Sequence, residues 1–153
     1  MSEISILRRI CSPNVIKICD VYRSKQDYNL LMEYCNGGDL ENYIKARGGY
    51  LVEEEARLIL RQIVNGISAI KSNLVMHRDL KPANILIHFS DVEQGKQIDD
   101  TAEYCKNLDF KQSHQLIVVK IADLGLAKTV EEDQQAKTIC GSPLFMAPEL
   151  FEN

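Results

Sequence analysis

The sequence predicts an α+β fold, because strand-like segments lie on both sides of a long helical segment. Val15–Tyr22 and Tyr28–Tyr34 are rich in β-branched, aromatic and aliphatic residues, and the polar turn Ser24–Asp27 between them predicts a hairpin. Glu53–Ser72 has apolar residues at helical spacing. Leu116–Ala122 is nearly all apolar, which predicts a buried strand.

The helices have clear sequence boundaries. Asn36-Gly37-Gly38 ends the second strand, and Asp39 lies where the N-cap of a helix over Leu40–Arg47 belongs. Gly48-Gly49 ends that helix. The longer helix begins with Glu53–Glu55, whose charges complement the positive end of the helix dipole. Helical spacing predicts that its core-facing stripe consists of Leu60, Ile63, Ile67 and Ile70.

The second half of the chain combines short apolar segments with long polar ones. Leu74–Met76 and Ile85–Ile87 are predicted strands on either side of a polar loop. Phe89–Gln115 has 27 mostly polar residues, with six acids and three lysines. Loops of this length are uncommon in a compact domain, so we expect this 89–115 insert to be mobile and dispensable. Asp123–Met146 is predicted to be largely loop, and Ala147–Phe151 to begin a short helix.

Composition and charge exclude several classes of protein. The 153 residues include 18 Lys or Arg and 22 Asp or Glu, and 45% are hydrophobic, as in ordinary folded domains. The net charge of −4 without basic blocks argues against a nucleic-acid binder. Apolar runs reach only four residues, so no membrane span is expected, and no secretory signal is visible. Five cysteines without a CxxC pair favour reduced thiols and a cytoplasmic location over disulfides or a zinc site.

Two short loops carry an unusual set of polar groups. The first has the sequence HRDLKPAN and ends at Asn84, and the second, DLG, begins at Asp123. Asp79, Asn84 and Asp123 offer oxygen atoms that can bind Mg²⁺ or accept a proton. Lys81 adds a compact positive charge that suits phosphate. This combination is what phosphoryl transfer needs, since that reaction depends on positioning and charge neutralisation.

Each loop alone is weak evidence, because a single Asp-Leu-Gly is most often a turn. The joint pattern is specific: Asp123 follows Asn84 by 39 positions, and Ala147-Pro148-Glu149 comes next in order. The sequence thereby resembles the eukaryotic protein kinases, whose catalytic loop, DFG element and APE element these segments match. The resemblance covers the chain apart from the 89–115 insert. It implies a protein-kinase-like two-lobed fold, with residues 1–153 forming the end of the small lobe and the first half of the large lobe.

The resemblance assigns chemical roles and implies ATP and Mg²⁺ as cofactors. Asp79 would be the catalytic base that accepts the proton of the substrate hydroxyl. Asn84 and Asp123 would hold Mg²⁺. Lys81, in the DLKP form, resembles the lysine of serine/threonine kinases and would steady the γ-phosphate. The implied reaction transfers the ATP γ-phosphate to serine or threonine hydroxyls of a protein substrate.

The resemblance also implies a nucleotide site upstream of the catalytic loop. Met32 resembles the gatekeeper, and Glu33-Tyr34-Cys35 resembles the hinge that binds adenine through its backbone. Asp39 resembles the acidic residue near the ribose, and Leu86 the apolar floor under adenine. Ordinary core packing is a compatible role for the apolar members. The stacked column that connects the two lobes of kinases is matched by Leu7, Ile18, His77 and Leu124.

Four residues resemble regulatory positions of the family. Glu3 corresponds to the glutamate of the regulatory helix. Thr138 lies where the activation segment of the family carries its activating phosphate, which an upstream kinase or autophosphorylation would supply. Arg78 resembles the arginine that binds this phosphate. By the same resemblance, Ser142 is expected to bond Asp79 and Lys81 and to help select serine or threonine substrates.

The chain departs from the family pattern in three places. No glycine-rich loop and no V-A-I-K lysine precede Glu3, and the family's later helices do not follow Glu149. We therefore expect an incomplete kinase domain, which on its own transfers no phosphate and binds ATP weakly at best. The third departure is Leu124 in place of the DFG phenylalanine, and leucine preserves the apolar column.

Narrower and wider interpretations stay open. The segments MEYCNGGDL, from Met32, and TICGSPLFMAPEL, from Thr138, resemble the autophagy-initiating (ULK) kinases, although CGSP followed by MAPE occurs in related groups. The alternative function is a non-catalytic kinase-like binding module, against which the intact Asp79, Asn84 and Asp123 argue. A small-molecule phosphotransferase is a third interpretation, and the activation segment argues against it because such a segment serves as a peptide platform.

Overall fold

The computed structural model describes residues 8, 10–25, 27–92, 98–124, 128–129 and 141–150, and the strands among them form three two-stranded sheets. Glu3, Leu7 and Thr138 lie outside the described residues. Short 3₁₀ helices cover Pro82–Asn84, Pro143–Phe145 and Pro148–Leu150. The strands and α-helices, in chain order, are β1 (Ile18–Arg23), β2 (Tyr28–Met32), α1 (Leu40–Ala46), α2 (Glu53–Ser72), β3 (Val75–Met76), β4 (Ile85–Phe89), α3 (Thr101–Asn107), α4 (Phe110–Ser113), β5 (Ile117–Ile121) and β6 (Lys128–Thr129).

Strands β1 and β2 form the predicted antiparallel hairpin, in which Val21 lies opposite Leu30. The turn closes with a hydrogen bond of 2.8 Å from the Ser24 N–H to the Asp27 carbonyl oxygen. Polar turn residues between two apolar runs thus set the register, as the sequence predicts. Both faces of the hairpin are partly open, since the successive residues Leu30 and Leu31, which point to opposite faces, are 44% and 50% exposed.

Helices α1 and α2 begin where the sequence signals place them. The Asp39 carboxylate accepts a hydrogen bond of 2.8 Å from the Asn42 N–H, which confirms the predicted N-cap of α1. Glu55, in the first turn of α2, is only 1% exposed. It accepts a hydrogen bond from the Tyr43 hydroxyl and lies 3.3 Å from Arg47 Nε. Glu55 therefore forms a buried ion pair that fixes α1 against α2, beyond the dipole role that its position suggests.

The predicted core-facing stripe of α2 is wrong in two of its four residues. Leu60 and Ile67 are 60% and 39% exposed. The helix approaches the core most closely at Gly66, where an added Cβ would lie 2.5 Å from the Asn14 carbonyl oxygen. Because the backbone packs at this point, the buried stripe is rotated toward Glu55, Ile59, Gly66 and Ile70.

Strands β4 and β5 form the centre of the core. They pair antiparallel, with Ile85 opposite Ile121 and Phe89 opposite Ile117. Side chains alternate between the two faces of this sheet, and one face is almost fully buried. The residues on that face are 0% to 3% exposed: Ile85, Ile87, Phe89, Ile117, Val119 and Ile121.

The described residues of the 89–115 insert, 89–92 and 98–115, form more regular structure than their polar sequence predicts. Phe89 completes β4, and helices α3 and α4 occupy part of the remainder. Asp100 caps α3 and Asp109 caps α4, so acids that resemble a solvated loop instead begin helices. Cys105 is 1% exposed, and the Tyr104 ring centroid lies 4.8 Å from that of Phe89. The described part of the insert packs on the core, which corrects the expectation of a mobile loop.

The remaining elements are short. Val75 of β3 pairs with Thr129 of β6 in an antiparallel bridge. Most of the loop predicted over Asp123–Met146 falls on residues 125–127 and 130–140, outside the described residues. Within the described ranges, no helix combines the length and apolar character needed to cross a membrane.

Candidate active site

The loop between β3 and β4 has a constrained backbone. Arg78 has a φ of 65°, a left-handed conformation that is uncommon outside glycine and is concentrated at functional sites. Pro82 begins the 3₁₀ helix that ends at Asn84, where the fixed φ of proline suits the first position. Since this helix leads directly into β4, the loop that carries Asp79 and Lys81 is anchored on a buried strand.

The Asp79 carboxylate is surrounded by hydrogen-bond donors. Its Oδ2 atom lies 2.8 Å from Lys81 Nζ and 3.1 Å from the Asn84 amide nitrogen. Its Oδ1 atom accepts a hydrogen bond of 2.8 Å from the Ser142 N–H. Hydrogen bonds from Lys81 and then Ser142 hold the pKa of the Asp79 carboxyl well below its usual range. Asp79 is therefore an ionised carboxylate at neutral pH, although it is only 8% exposed.

Residues 141–146 dock against this loop. Lys81 Nζ donates a hydrogen bond of 2.8 Å to Ser142 Oγ, so the ammonium group bridges Ser142 and Asp79. Gly141 has a φ of 116°, and a Cβ atom there would lie 2.5 Å from the Arg78 carbonyl oxygen. Glycine is needed at this position for both reasons. Beyond the docked residues, Leu144 projects outward and is 93% exposed.

Main-chain contacts bring Asp123 next to the same loop. The Ala122 N–H donates a hydrogen bond of 2.9 Å to the Asn84 carbonyl oxygen. His77 Nδ1 accepts from the Asp79 N–H, which assigns the ring proton to Nε2, and Nε2 donates to the Ala122 carbonyl oxygen over 2.8 Å. Asp123 itself has a φ of 57° and an exposed side chain. A buried histidine thus joins the two polar loops.

The donor atoms of Asn84 and Asp123 suit Mg²⁺. Both hydrogen bonds from the Asn84 side chain use its amide nitrogen, so the amide oxygen is the atom suited to a ligand role. Among the residues with described positions, no group of three or more His, Cys, Asp or Glu could hold a metal ion by itself. Mg²⁺ bound with a nucleotide needs only one or two protein oxygens besides phosphate and water, and this pair fits that requirement.

The segment after β2, residues 33–39, runs beside β4 at its own C-terminal end. The Gly37 N–H donates to the Ile87 carbonyl oxygen over 2.9 Å, and the Ile87 N–H donates to the Gly38 carbonyl oxygen over 2.8 Å. A further backbone bridge pairs Asp39 with Leu86. The structure therefore brings Asp39 next to Leu86. Leu86 lies on β4, the strand that follows the Asp79 loop.

Glu33 is fixed by contacts that sequence reasoning missed. Its Oε1 atom accepts from the Lys17 N–H over 2.7 Å and lies 3.0 Å from Lys120 Nζ. Lys120 also donates to the Pro13 carbonyl oxygen over 3.0 Å. One signal was available, since Lys120 is the single charged residue in the apolar stretch Leu116–Ala122. Lys120 thereby connects β5 to the segment after β2.

Met32 and Cys35 flank Glu33 at the end of the hairpin. Met32 is the last residue of β2 and is 47% exposed. Burial, with a smaller contribution from the Glu33 charge, raises the pKa of the Cys35 thiol to about 11. Of the remaining sequence-predicted residues, Arg78 and Ser142 lie beside Asp79, whereas Glu3 and Thr138 lie outside the described residues.

Comparison with protein families gives one match over the whole chain. The family model for the protein kinase domain matches residues 1–153. This match includes both polar loops and the segment after β2, and it therefore agrees with the resemblance that the motifs indicate.

Comparison with individual proteins finds relatives of moderate identity. The chain is 36% identical over 152 residues to the serine/threonine-protein kinase ATG1c of Arabidopsis thaliana and 38% identical over 152 residues to ATG1b of the same plant. It is 36% identical over 149 residues to the serine/threonine-protein kinase ULK1 of Homo sapiens. These matches cover 99%, 99% and 97% of this chain, but only 18%, 18% and 12% of the respective relatives. The chain thus spans less than a fifth of the length of these relatives.

Proposed function

The chain belongs to the protein kinase family, and from that membership we propose that it forms part of a serine/threonine protein kinase. The proposed reaction transfers the γ-phosphoryl group of ATP to a serine or threonine hydroxyl of a protein substrate. The relatives at 36% to 38% identity are named serine/threonine-protein kinases, which supports this choice of substrate class.

The observation that carries the proposal is the environment of Asp79. The Lys81 ammonium group lies 2.8 Å from Asp79 Oδ2 and 2.8 Å from Ser142 Oγ. A hydroxyl group placed beside this carboxylate would find an acceptor for its proton and a positive charge for the incoming phosphoryl group. Phosphoryl transfer depends on this kind of positioning and charge neutralisation.

In the proposed mechanism, Asp79 first orients the substrate hydroxyl. Because the pKa of Asp79 is well below its usual range, the carboxylate is ionised but only weakly basic. It therefore accepts the proton only as the hydroxyl oxygen bonds to phosphorus, which makes the hydroxyl more acidic. The phosphoryl group then resides on the substrate oxygen, and ADP is the leaving group. Lys81 steadies the transferred group. When bound, Mg²⁺ held by Asn84 and Asp123 would supply charge neutralisation at the phosphates.

The proposed nucleotide site lies along the segment after β2. Adenine would hydrogen-bond to the backbone at Glu33 and Cys35, with Met32 and Leu86 in contact with its ring. Asp39 would bind the ribose. The bridge between Asp39 and Leu86 supports this assignment, because it sets the two residues side by side.

The proposed regulation acts through the residues that resemble regulatory positions. Phosphate on Thr138, supplied by an upstream kinase or by autophosphorylation, would pair with Arg78 beside the catalytic loop. Ser142 would help select serine or threonine hydroxyls, which its contacts with Asp79 and Lys81 support. Glu3 would play the part of the regulatory-helix glutamate.

We further propose that the kinase belongs to the autophagy-initiating group and acts in the cytoplasm. The motifs from Met32 and from Thr138 support the group, as do the relatives named ATG1 and ULK1. Free thiols at Cys11, Cys19 and Cys105 suit a reducing compartment.

Replacing Asp79 tests the proposed reaction. In a complete kinase domain that contains this chain, Asp79→Asn should lower the rate of peptide phosphorylation by about 10²- to 10⁴-fold, the usual contribution of a general base. Binding of Mg²⁺-ATP should remain, since Asp79 faces the hydroxyl. Asp27→Asn, on the exposed turn of the hairpin, is the matched control and should keep wild-type activity. Near-normal turnover in Asp79→Asn would refute the base assignment, and a wild-type protein without turnover would favour the non-catalytic binding module.

Replacing Asp123 tests the proposed metal site separately. Asp123→Ala should abolish the thermal shift that Mg²⁺-ATP produces in the complete kinase domain, because ligand binding raises apparent stability by mass action. Asp79→Asn should retain that shift. Normal Mg²⁺-ATP binding in Asp123→Ala would remove Asp123 from the metal site.

A further inference from the structure

The ring of Phe89 lies where three parts of the molecule meet. Phe89 is 0% exposed. A Cβ atom added at Gly37 would lie 2.8 Å from Phe89 Cε2, so the backbone of the segment after β2 packs closely against the ring. The ring centroids of Tyr43 on α1 and Tyr104 on α3 lie 6.4 Å and 4.8 Å from that of Phe89. Tyr104 belongs to the 89–115 insert, so the insert forms one wall of this site.

The backbone of Phe89 holds the segment after β2. Asn36 is 3% exposed, and its amide nitrogen donates to the Phe89 carbonyl oxygen over 3.0 Å. In return, the Phe89 N–H donates to Asn36 Oδ1 over 2.8 Å. The Gly37 N–H continues this attachment at Ile87. Phe89 therefore holds Asn36, and Ile87 holds Gly37, two residues before Asp39.

The insert is itself fastened to the large helices. Arg47 Nη1 donates to the carbonyl oxygens of Leu108 and Cys105 over 2.8 Å and 3.3 Å, which satisfies the C-terminal end of α3. The same guanidinium pairs with the buried Glu55 carboxylate. Because Arg47 follows α1 directly, α3 cannot move away from Phe89 without also releasing these bonds.

We propose that Tyr104 is a positioning residue for the nucleotide site, acting through Phe89 on the Asn36–Asp39 segment. This inference rests on the proposed kinase function and deepens it. The Tyr104 ring packs against the Phe89 ring with the two planes tilted by 55°. The covered Phe89 ring in turn helps to keep the Asn36 hydrogen bonds away from water. In low dielectric surroundings these bonds are stronger and open less often. The insert thereby becomes a part of the scaffold that presents Asp39 to the ribose.

The test compares variants of Tyr104 with a matched aromatic control. In this chain, hydrogen exchange of the Gly37 and Phe89 amides should be about 2- to 12-fold faster in Tyr104→Ala, the population change that loss of one aromatic pair permits. The buried Ile121 amide, bonded to the Asn14 carbonyl oxygen, should exchange at the wild-type rate. Tyr50→Ala, at a site that is 71% exposed, should change none of these rates.

Kinetics in a complete kinase domain that contains this chain gives the second readout. Tyr104→Ala should raise KM for ATP by at most the same factor, because only the molecules in which the segment is displaced lose affinity for ATP. The value of kcat should stay near that of the wild type, because the catalytic loop is untouched. Tyr104→Phe should restore both readouts, since it keeps the ring and removes only the hydroxyl that bonds Asp91. Tyr104→Leu supplies a folded variant with partial cover if Tyr104→Ala does not fold.

Three results would overturn the proposal. Unchanged Gly37 exchange and unchanged KM in Tyr104→Ala and Tyr104→Leu would show that the insert does not position the segment. Equal acceleration of the Gly37 and Ile121 amides would show a purely global loss of stability. If Tyr104→Phe changed the exchange rates and KM as much as Tyr104→Ala does, the aromatic ring would be excluded as the cause. If the wild-type domain has no kinase activity, the proposed function fails, whereas the exchange experiment still decides the role of Tyr104.

Discussion

Ser142 contacts both a carboxylate and an ammonium group, and this pair of contacts separates its role from that of Thr138. Its N–H donates to Asp79 and its Oγ accepts from Lys81, so Ser142 belongs to the hydrogen-bonded cluster around Asp79. A phosphate on Thr138 would instead add a charge of about −1.5 to −2 for a fork-shaped guanidinium to bind. We propose that Arg78 supplies this guanidinium. Its backbone is held in a left-handed conformation, with a φ of 65°.

We predict that Thr138→Ala sharply lowers the activity of a complete kinase domain that contains this chain. The physical reason is loss of the phosphate that would tie the activation segment to Arg78. Peptide phosphorylation should be measured before and after treatment with an activating kinase. Arg78→Ala should make activity insensitive to that treatment. Full activity in Thr138→Ala, together with loss of activity in Ser142→Ala, would give Ser142 the leading role.

The cysteines allow a test of burial at single residues. Burial raises the pKa of the Cys35 and Cys105 thiols to about 11. Only the thiolate reacts with iodoacetamide, so both should be alkylated at least about 10-fold more slowly at pH 7.5 than the exposed Cys11 and Cys19. Site-resolved mass spectrometry measures each rate, and the urea-unfolded chain is the control in which all should react alike. Equal rates in the folded chain would contradict the burial of Cys35.

At the level of the element, α2 depends on close approach at Gly66. A glycine-to-alanine change within a helix usually stabilises it by about 1 kcal/mol. At Gly66 the added Cβ would meet the Asn14 carbonyl oxygen at 2.5 Å and Ile121 Cδ1 at 2.8 Å. Asn14 cannot shift freely, because its amide nitrogen donates to the Val119 carbonyl oxygen over 2.8 Å.

We predict that Gly66→Ala lowers the free energy of unfolding by about 1–3 kcal/mol, since overpacking outweighs the gain in helix propensity. Urea unfolding of this chain measures the change. Asn65→Ala, at the neighbouring exposed position of α2, is the matched control and should raise the free energy of unfolding by a few tenths of a kcal/mol. A stabilised Gly66→Ala variant would show that α2 does not pack as closely as described.

Element boundaries followed from local signals, whereas element faces did not. The caps and periodicity of α1 and α2 are properties of neighbouring residues, so the sequence predicts where these helices begin. Apolar residues cover two faces of α2, and contacts with distant residues, such as the close approach of Gly66 to Asn14, decide which face is buried. Helix α3 is polar and short, and its anchor, Arg47, lies 58 positions before Cys105 in the chain. A local pattern cannot indicate such an anchor.

For the molecule as a whole, the hydrogen bonds that Lys81 and Ser142 donate to Asp79 link folding to pH. The folded state holds the pKa of Asp79 below its unfolded value of about 3.9. The sign follows from linkage: the stability gained from this group is present above the unfolded pKa and is lost as the pH falls toward the folded pKa.

We therefore predict that the difference in free energy of unfolding between wild type and Asp79→Asn is largest near pH 6–7 and shrinks below about pH 4. Urea unfolding of this chain at a series of pH values measures it. Asp27→Asn, on the exposed hairpin turn, should stay within about 0.5 kcal/mol of wild type throughout. A wild-type advantage over Asp79→Asn that grows on acidification would show that Asp79 is not a stabilised carboxylate.

The sequence predicted those residues of the candidate site that belong to a recognisable motif. Motif positions indicated Asp79, Asn84 and Asp123 because catalytic residue types recur at fixed spacing in the family. Supporting residues such as Lys120 and Asn36 were not predicted, because their partners are remote. Lys120 binds the Pro13 carbonyl oxygen across 107 positions, and Asn36 binds Phe89 across 53. Only the assembled fold reveals such contacts.

The pairing of β4 with β5 has a consequence for the order of folding. Residues 90–116, which include all of the insert after Phe89, place 27 residues between these partners, whereas a short turn joins β1 and β2. Closing the longer loop costs about 2 kcal/mol more in chain entropy, since each doubling of length adds about 0.6 kcal/mol. The hairpin should consequently assemble early and the sheet of β4 and β5 late. We expect the transition state for folding to form only once β5 has reached β4. The insert therefore stabilises the folded protein through its packing and slows the folding of the chain.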